Sequence, residues 1–219
     1  MVTYADIRSD LAIREYIKRA DESLAALGYT EHSFAHVTKV AVTAAYILEQ
    51  LGYSEEEIEL VKIAGYLHDI GNLVNRVEHS QSGAVMAFRV LDKMDMSPED
   101  IATIVTAIGN HDEGPGVAVN AVAAALIIAD KSDVRRSRVR KKDMTTFDIH
   151  DRVNYSVEDS NLRINTEKTE ITLELKIDTE ISAVMDYFEI FLGRMVMCRK
   201  AGERLGLRFR LVINGQKLI

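Results

Sequence analysis

The chain has 219 residues, 47% hydrophobic and 28% charged, and its 27 basic and 34 acidic side chains leave a net charge of −7. This is the composition of a soluble globular protein, and its acidic balance argues against a general nucleic-acid surface. The lone Cys198 excludes an internal disulfide framework and a cysteine-rich zinc site, and no segment approaches the ~20 apolar residues of a membrane helix. The N-terminal stretch is charged throughout and is not a signal peptide, so a cytoplasmic protein is expected.

In chain order, residues 5–27 read as an amphipathic helix ended by Gly28, and residues 33–51 as a second helix closed by Gly52. Ser54 and Glu57 form a capping box for a helix that runs to Ile70, with His68-Asp69 in its last turn. A further helix covers residues 80–94. Ser97-Pro98-Glu99-Asp100 starts another, which ends near His111, before Gly114-Pro115-Gly116. Residues 119–136 are almost entirely apolar and predict a helix at the centre of a bundle. The pattern changes near residue 142. Residues 152–178 alternate and are β-branched, with turns at Glu158-Asp159-Ser160 and Glu167-Lys168, which predicts three antiparallel strands. Helical period returns over 180–205, and "LRFRLVI" predicts a final strand. The fold class is thus mostly α: a helical part over residues 1–142, then a small α+β module over residues 143–219.

Polar groups interrupt four of the apolar helix faces. His36 heads the stripe Val40, Ala44, Ile47, Leu51; His68 ends Val61, Ala64, Gly65; His111 follows Ile104 and Ile108; Asp130 follows Ala123, Leu126 and Ile127. Spacings of three and four place each group on a buried face. Burying one imidazole or carboxylate is costly unless it is paired or binds a metal. A single such histidine is usually a satisfied core residue, whereas several helices aiming one inward point to a shared divalent cation. Imidazole and carboxylate donors suit manganese, iron, cobalt, nickel or zinc better than calcium or magnesium.

The ordered set resembles the HD superfamily of metal-dependent phosphohydrolases over residues 30–136. "HVTKV" is similar to the family's first histidine helix and "YLHDIGN" to its HDIGK box, with Asn72 in place of lysine; "EHSQSGA" brings His79, "NHDEG" His111 and "ADKSD" Asp130. The resemblance implies a metal held by His36, His68, Asp69 and Asp130. His79 and His111 match family branches in which two extra histidines hold a second metal and the Asp of the HD pair bridges. Two readings stand here: two metals, with Asp69, His79 and His111 in the catalytic group, or one metal, with His79 and His111 as substrate contacts or proton donors. The Gly-Tyr-Pro box of the cyclic-dinucleotide branch and the HDTVED-like box of the stringent-response hydrolases are absent.

Other residues carry paired readings. His32, Asn72, Lys131 and Arg138 are candidate substrate-binding residues. His32 also reads as a surface helix-cap histidine, and the amide of Asn72 substitutes only in part for the family's lysine. Arg138 falls eight residues after Asp130, about 12 Å along a continued helix. Asp133 orients a ligand or faces solvent. The basic run Arg135–Lys142 either attracts a polyanion or is a solvated helix end. Asp112 and Glu113 read as loop charges, and His150 and Cys198 as structural. The expected function is hydrolysis of a phosphoester, of a nucleotide, by metal-activated water, with a phosphorylated small molecule as partner and a homodimer as the assembly. The alternatives are a sensory or scaffold protein that keeps the metal site and, from the resemblance, an oxygenase using two irons.

Overall fold

Asp10 divides the first expected helix. In the computed structural model, which describes residues 2–114 and 116–219, α1 (Tyr4–Ser9) ends and α2 (Leu11–Ala26) begins at this residue. Its backbone is extended and its carboxylate accepts a hydrogen bond from Ile13 N, so it closes one helix and caps the next. Helix α3 (Phe34–Leu51) starts at Ser33 and stops at Gly52, whose φ of 82° is in the left-handed region that glycine adopts without strain. Helix α4 (Glu55–Leu67) has the expected Ser54/Glu57 capping box. It ends earlier than Ile70: His68 is its cap, Asp69 lies one residue beyond, and a 3₁₀ turn follows over Ile70–Leu73. Helices α5 (His79–Lys93), α6 (Pro98–Gly109) and α7 (Ala121–Ser132) complete the bundle. Pro115, in the expected loop after His111, lies outside the described residues.

Two close approaches set the bundle's geometry. A Cβ on Gly65 would lie 2.7 Å from the Ala41 Cα, so α3 and α4 meet backbone to backbone one turn before His68. A Cβ on Gly71 would collide with the His79 carbonyl, so the 3₁₀ turn rests directly on the start of α5. Helix α7 runs through the centre, buried on all sides from Val122 to Ala129.

The C-terminal region is an α+β layer, as expected, but its elements differ in detail. The first expected strand is a helix, α8 (Ile149–Ser156). Asp148 and Asp151 form a capping box at its start, a local helix signal that outweighs the alternation of Val153, Tyr155 and Val157. Strand β1 (Val157–Ile164) runs through Glu158-Asp159-Ser160, where a register shift rather than a turn breaks the pattern. Strand β2 (Glu170–Ile177) pairs with it antiparallel, burying Ile171, Leu173, Leu175 and Ile177 on one face. Helix α9 (Val184–Arg204) crosses back to β3 (Arg208–Ile213), which pairs parallel to β2, as a helical crossover requires; a short β4 (Gln216–Lys217) closes the order β1-β2-β3-β4. The buried apolar cluster is continuous from Ile7 to Ile213, with α9 packed on α7. Among the described residues no helix is long and apolar enough to cross a membrane.

The predicted helix over 119–136 ends at Ser132, so the basic run that follows is not a helix end, and four of its cations are engaged within the protein. Arg135 pairs with Glu31 and Asp133, Arg138 donates to the carbonyls of Glu31 and Asp133, Arg140 pairs with Asp21, and Lys141 with Asp151. The run is a strap that ties the chain after α7 to the loop before α3.

Candidate metal centre and cleft

Five of the chain's six histidines form one row. Their rings meet edge to face in the order His32, His36, His68, His111, His79, with centroids 5.4, 5.2, 4.9 and 5.1 Å apart. Asp69 and Asp130 lie against the row. His36 Nε2 is 3.5 Å from Asp69 Oδ2 and 3.4 Å from Asp130 Oδ1, and His68 Nε2 is 3.2 and 3.7 Å from the same two atoms.

The partner at each Nδ1 fixes which nitrogen faces the centre. His68 Nδ1 donates to the Gly65 carbonyl at 2.8 Å, His111 Nδ1 to Ile108 O at 2.6 Å, and His36 Nδ1 is 2.8 Å from Asp133 Oδ2. Each ring therefore turns its Nε2 lone pair inward. His36 Nε2, His68 Nε2 and Asp69 Oδ2 are buried and make no hydrogen bond of good geometry, so three basic atoms converge without a donor. Such a cluster is stable only around a cation or shared protons. Ligand atoms of His36, His68 and Asp130, and separately of His68, Asp69 and His111, all lie within 4.8 Å of one another, which fits a divalent metal.

Electrostatics agree with that fit. Burial works to lower the pKa of His68, but Asp69 and Asp130 outweigh it and hold the imidazole up to about 10. His36 is likewise raised: burial and Arg138 oppose protonation, but Asp130, Asp133 and Asp69 prevail. Burial would raise Asp69 and Asp130, yet His68 and, for Asp130, chiefly Lys131 hold both well below the usual carboxylate range. The centre therefore demands positive charge. His79 and His111 behave oppositely, each lowered first by burial, and are neutral donors.

The two oxygens of Asp69 face different histidine groups. Oδ2 faces His36 and His68, while Oδ1 is 3.5 Å from His79 Nε2 and accepts from Asn72 Nδ2 at 2.9 Å. His79 Nε2 and His111 Nε2 are 3.2 Å apart. His79 Nδ1 is 3.1 Å from the Arg76 carbonyl, so this ring also turns its lone pair toward its neighbour, where Arg76 Nη1 lies 3.2 Å away.

A cleft of about 470 Å³ opens onto this row. Asp69, His79, His111 and Asp130 line it, as do the candidates His32, Lys131 and Arg138. His32 precedes α3 instead of sitting on it, and its Nδ1 meets Thr30 O at 2.8 Å. Lys131 is only 4% exposed, and its amine is 2.9 Å from Asp130 Oδ2, leaving Oδ1 for the histidines. Arg138 arrives on a short 3₁₀ turn and not along a continued helix; it is buried, with its guanidinium on the carbonyls of Glu31 and Asp133. Asn72 does not line the cleft, because its amide is taken by the Asp69 carboxylate and carbonyl.

Residues beyond the sequence candidates complete the walls. Arg76 lies over the Tyr29 ring, its guanidinium carbon 5.7 Å from the centroid. Its place three residues before His79 was the available signal. Asp112 and Glu113, read as loop charges, line the cleft beside Lys131 at 3.5 and 3.4 Å. His150, read as structural, also lines it, together with Asp148, Asp151 and Asn154 of the α8 region and Arg194 of α9. No motif marks these residues; the packing of α9 on α7 brings α9 to the cleft. Cys198 is fully buried, and burial pushes its thiol up to about 12, in keeping with its structural reading.

The HD domain family model matches residues 33–189. An uncharacterized protein of Methanocaldococcus jannaschii is 25% identical over 204 residues, covering 81% of this chain and 76% of its own length. A solved structure described as a predicted HD superfamily hydrolase, from an uncultured Thermotogales bacterium, is 23% identical, with a TM-score of 0.43 over 56% of this chain and 68% of that one. The family match spans most of the chain and contains His36, His68, Asp69, His79, His111 and Asp130, and on that ground the protein belongs to the HD domain family.

Proposed function

We propose that the protein is a metal-dependent phosphohydrolase that cleaves a phosphoester of a nucleotide. Family membership supports the hydrolase class, and the observation that carries the reading is Asp69, with one oxygen toward His36 and His68 and the other toward His79. In this proposal His36, His68, Asp69 and Asp130 hold one transition metal, and Asp69, His79 and His111 hold a second. Bound divalent metal would lower the pKa of a water toward neutrality and stabilise charge on the phosphoryl oxygens. The protein's own groups set this up. Asp133 and Gly65 O fix the tautomers of His36 and His68, and Lys131 and Asn72 fix the carboxylates of Asp130 and Asp69. Arg76, with no carboxylate within 4.0 Å among the described residues, offers its guanidinium to a phosphate oxygen beside His79. His32, its pKa pushed well down by burial, is a neutral contact at the same wall.

Residues 1–142 carry the metal ligands in this reading, and residues 143–219 supply the outer cleft wall and the interface of a homodimer; Met185 and Leu192 stand exposed on α9. Elemental analysis of the purified protein, followed by assay of the metal-loaded form on nucleotides and aryl phosphoesters, tests the proposal. Two metal equivalents with phosphoester turnover are expected. Full metal content with no turnover on any phosphoester would overturn it, and one equivalent would return His79 and His111 to the role of substrate contacts.

A further inference from the structure

Arg194 on α9 lies beyond the residues matched by the family model, and it is the one lysine or arginine of residues 143–219 that lines the cleft. Its pose is built. Nε is 2.6 Å from Glu113 Oε1, and the guanidinium lies over the Phe191 ring at 4.4 Å from the centroid. That same Glu113 oxygen is 3.4 Å from Lys131 Nζ, which is 2.9 Å from Asp130 Oδ2. Arg194 thus stands three contacts from a proposed metal ligand, and no acceptor among the described residues takes its two Nη groups.

Two other cations of the cleft are engaged within the protein. Lys131 lies within 3.5 Å of Asp130, Asp112 and Glu113, and Arg138 gives Nε and Nη1 to the carbonyls of Glu31 and Asp133. Guanidinium groups with donors in reserve and, among the described residues, no backbone carbonyl partner stand at Arg76 beside His79 and at Arg194 on the wall across Glu113. A guanidinium seated over an aromatic face and ion-paired with one carboxylate oxygen keeps its Nη donors for a ligand, and two such donors can grip a phosphate bidentately.

We propose that Arg194 forms a subsite for a second phosphate, so that the substrate is a phosphate ester carrying another phosphate besides the one attacked, such as a nucleoside diphosphate or bisphosphate. This rests on the phosphoester reading above. The cluster and Arg76 engage the reacting phosphate, and Arg194 engages the other.

The test uses the full-length, manganese-loaded protein and two probes, inorganic phosphate and methylenebisphosphonate, with binding followed by calorimetry and metal content measured alongside. Wild type is expected to prefer the bisphosphonate at least tenfold. Arg194→Gln should lower that preference about tenfold with metal content unchanged, and Arg194→Lys, which keeps the charge but not the fork, should recover only part of it. If Arg194→Gln fails to fold, the lysine variant carries the test, with a loss of at least threefold expected. A preference unchanged by either variant, or lost only together with the metal, would overturn the subsite. Wild type that binds phosphate but does not prefer the bisphosphonate would overturn the subsite alone, whereas wild type that binds neither anion would overturn the phosphoester reading as well.

Discussion

His36 Nδ1 and Asp133 Oδ2 lie 2.8 Å apart, and Asp133 is three residues beyond Asp130. The end of α7 therefore supplies both a carboxylate facing the His36 Nε2 and the carboxylate that orients the same ring from behind. Lys39 and Arg135 each hold Asp133 Oδ1 at 2.9 Å, which fixes the carboxylate in turn. Replacing Asp133 with alanine should weaken metal binding about 10–100-fold, the usual effect of losing such a partner. Competition against a chelator measures it, and unchanged affinity in a folded variant would contradict the orienting role.

Asp69→Ala should abolish turnover and most of the bound metal. Its carboxylate faces His36, His68 and His79, while Asp130 is within reach only of His36 and His68 and is held by Lys131. Metal analysis beside an activity assay decides this, and near-normal metal content would refute the assignment.

His79→Ala and His111→Ala should each release about one of two metal equivalents and leave the other in place. The 3.2 Å approach of their Nε2 atoms is the basis, since two inward lone pairs at that distance need a cation or a donor between or beside them. Loss of rate with no loss of metal would instead support the one-metal arrangement.

Without metal, stability should carry a histidine signature. The folded-state pKa of His68 is raised from 6.5 to about 10, so its contribution is fully present below 6.5 and is lost as pH rises through 10. The melting temperature of EDTA-treated protein should fall across that window. Metal-loaded protein should lack this trend, because the metal displaces the proton. Metal binding near neutral pH should release protons, and parallel curves with and without metal would argue against ligation by His68.

Gly65→Ala should destabilise the fold by about 1–3 kcal/mol, the range for forcing a methyl group into a packed contact. The added Cβ would press on the Ala41 backbone and separate α3 from α4, which carry His36 and His68. Denaturant unfolding measures the loss, and metal affinity should drop with it; a neutral effect would show that the crossing is more yielding than its geometry implies.

The helices of the bundle and the inward-facing histidines and aspartates were legible in the chain, because both follow from local rules. Periodicity of three and four marks a buried face, and a histidine or aspartate on such a face is legible wherever it falls, as at His36, His68, His111 and Asp130. Less was legible where two local signals competed. At residues 149–156 the Asp148/Asp151 capping box prevailed over β-like alternation, and after Ser132 the ion pairs of Arg135, Arg138 and Arg140 turned an expected helix into a strap. Packing in three dimensions alone shows that Asp69 spans two histidine groups, that Asp133 lies behind His36, and that Arg76, Glu113 and Arg194 share a cleft with Asp69, His79, His111 and Asp130. These relationships join residues as far apart as His36 and Asp133, or Glu113 and Arg194, and no periodicity links them. They arise from the packing of α7 against α3 and α9, where burial brings distant charges close enough for each to set the orientation and protonation of the other.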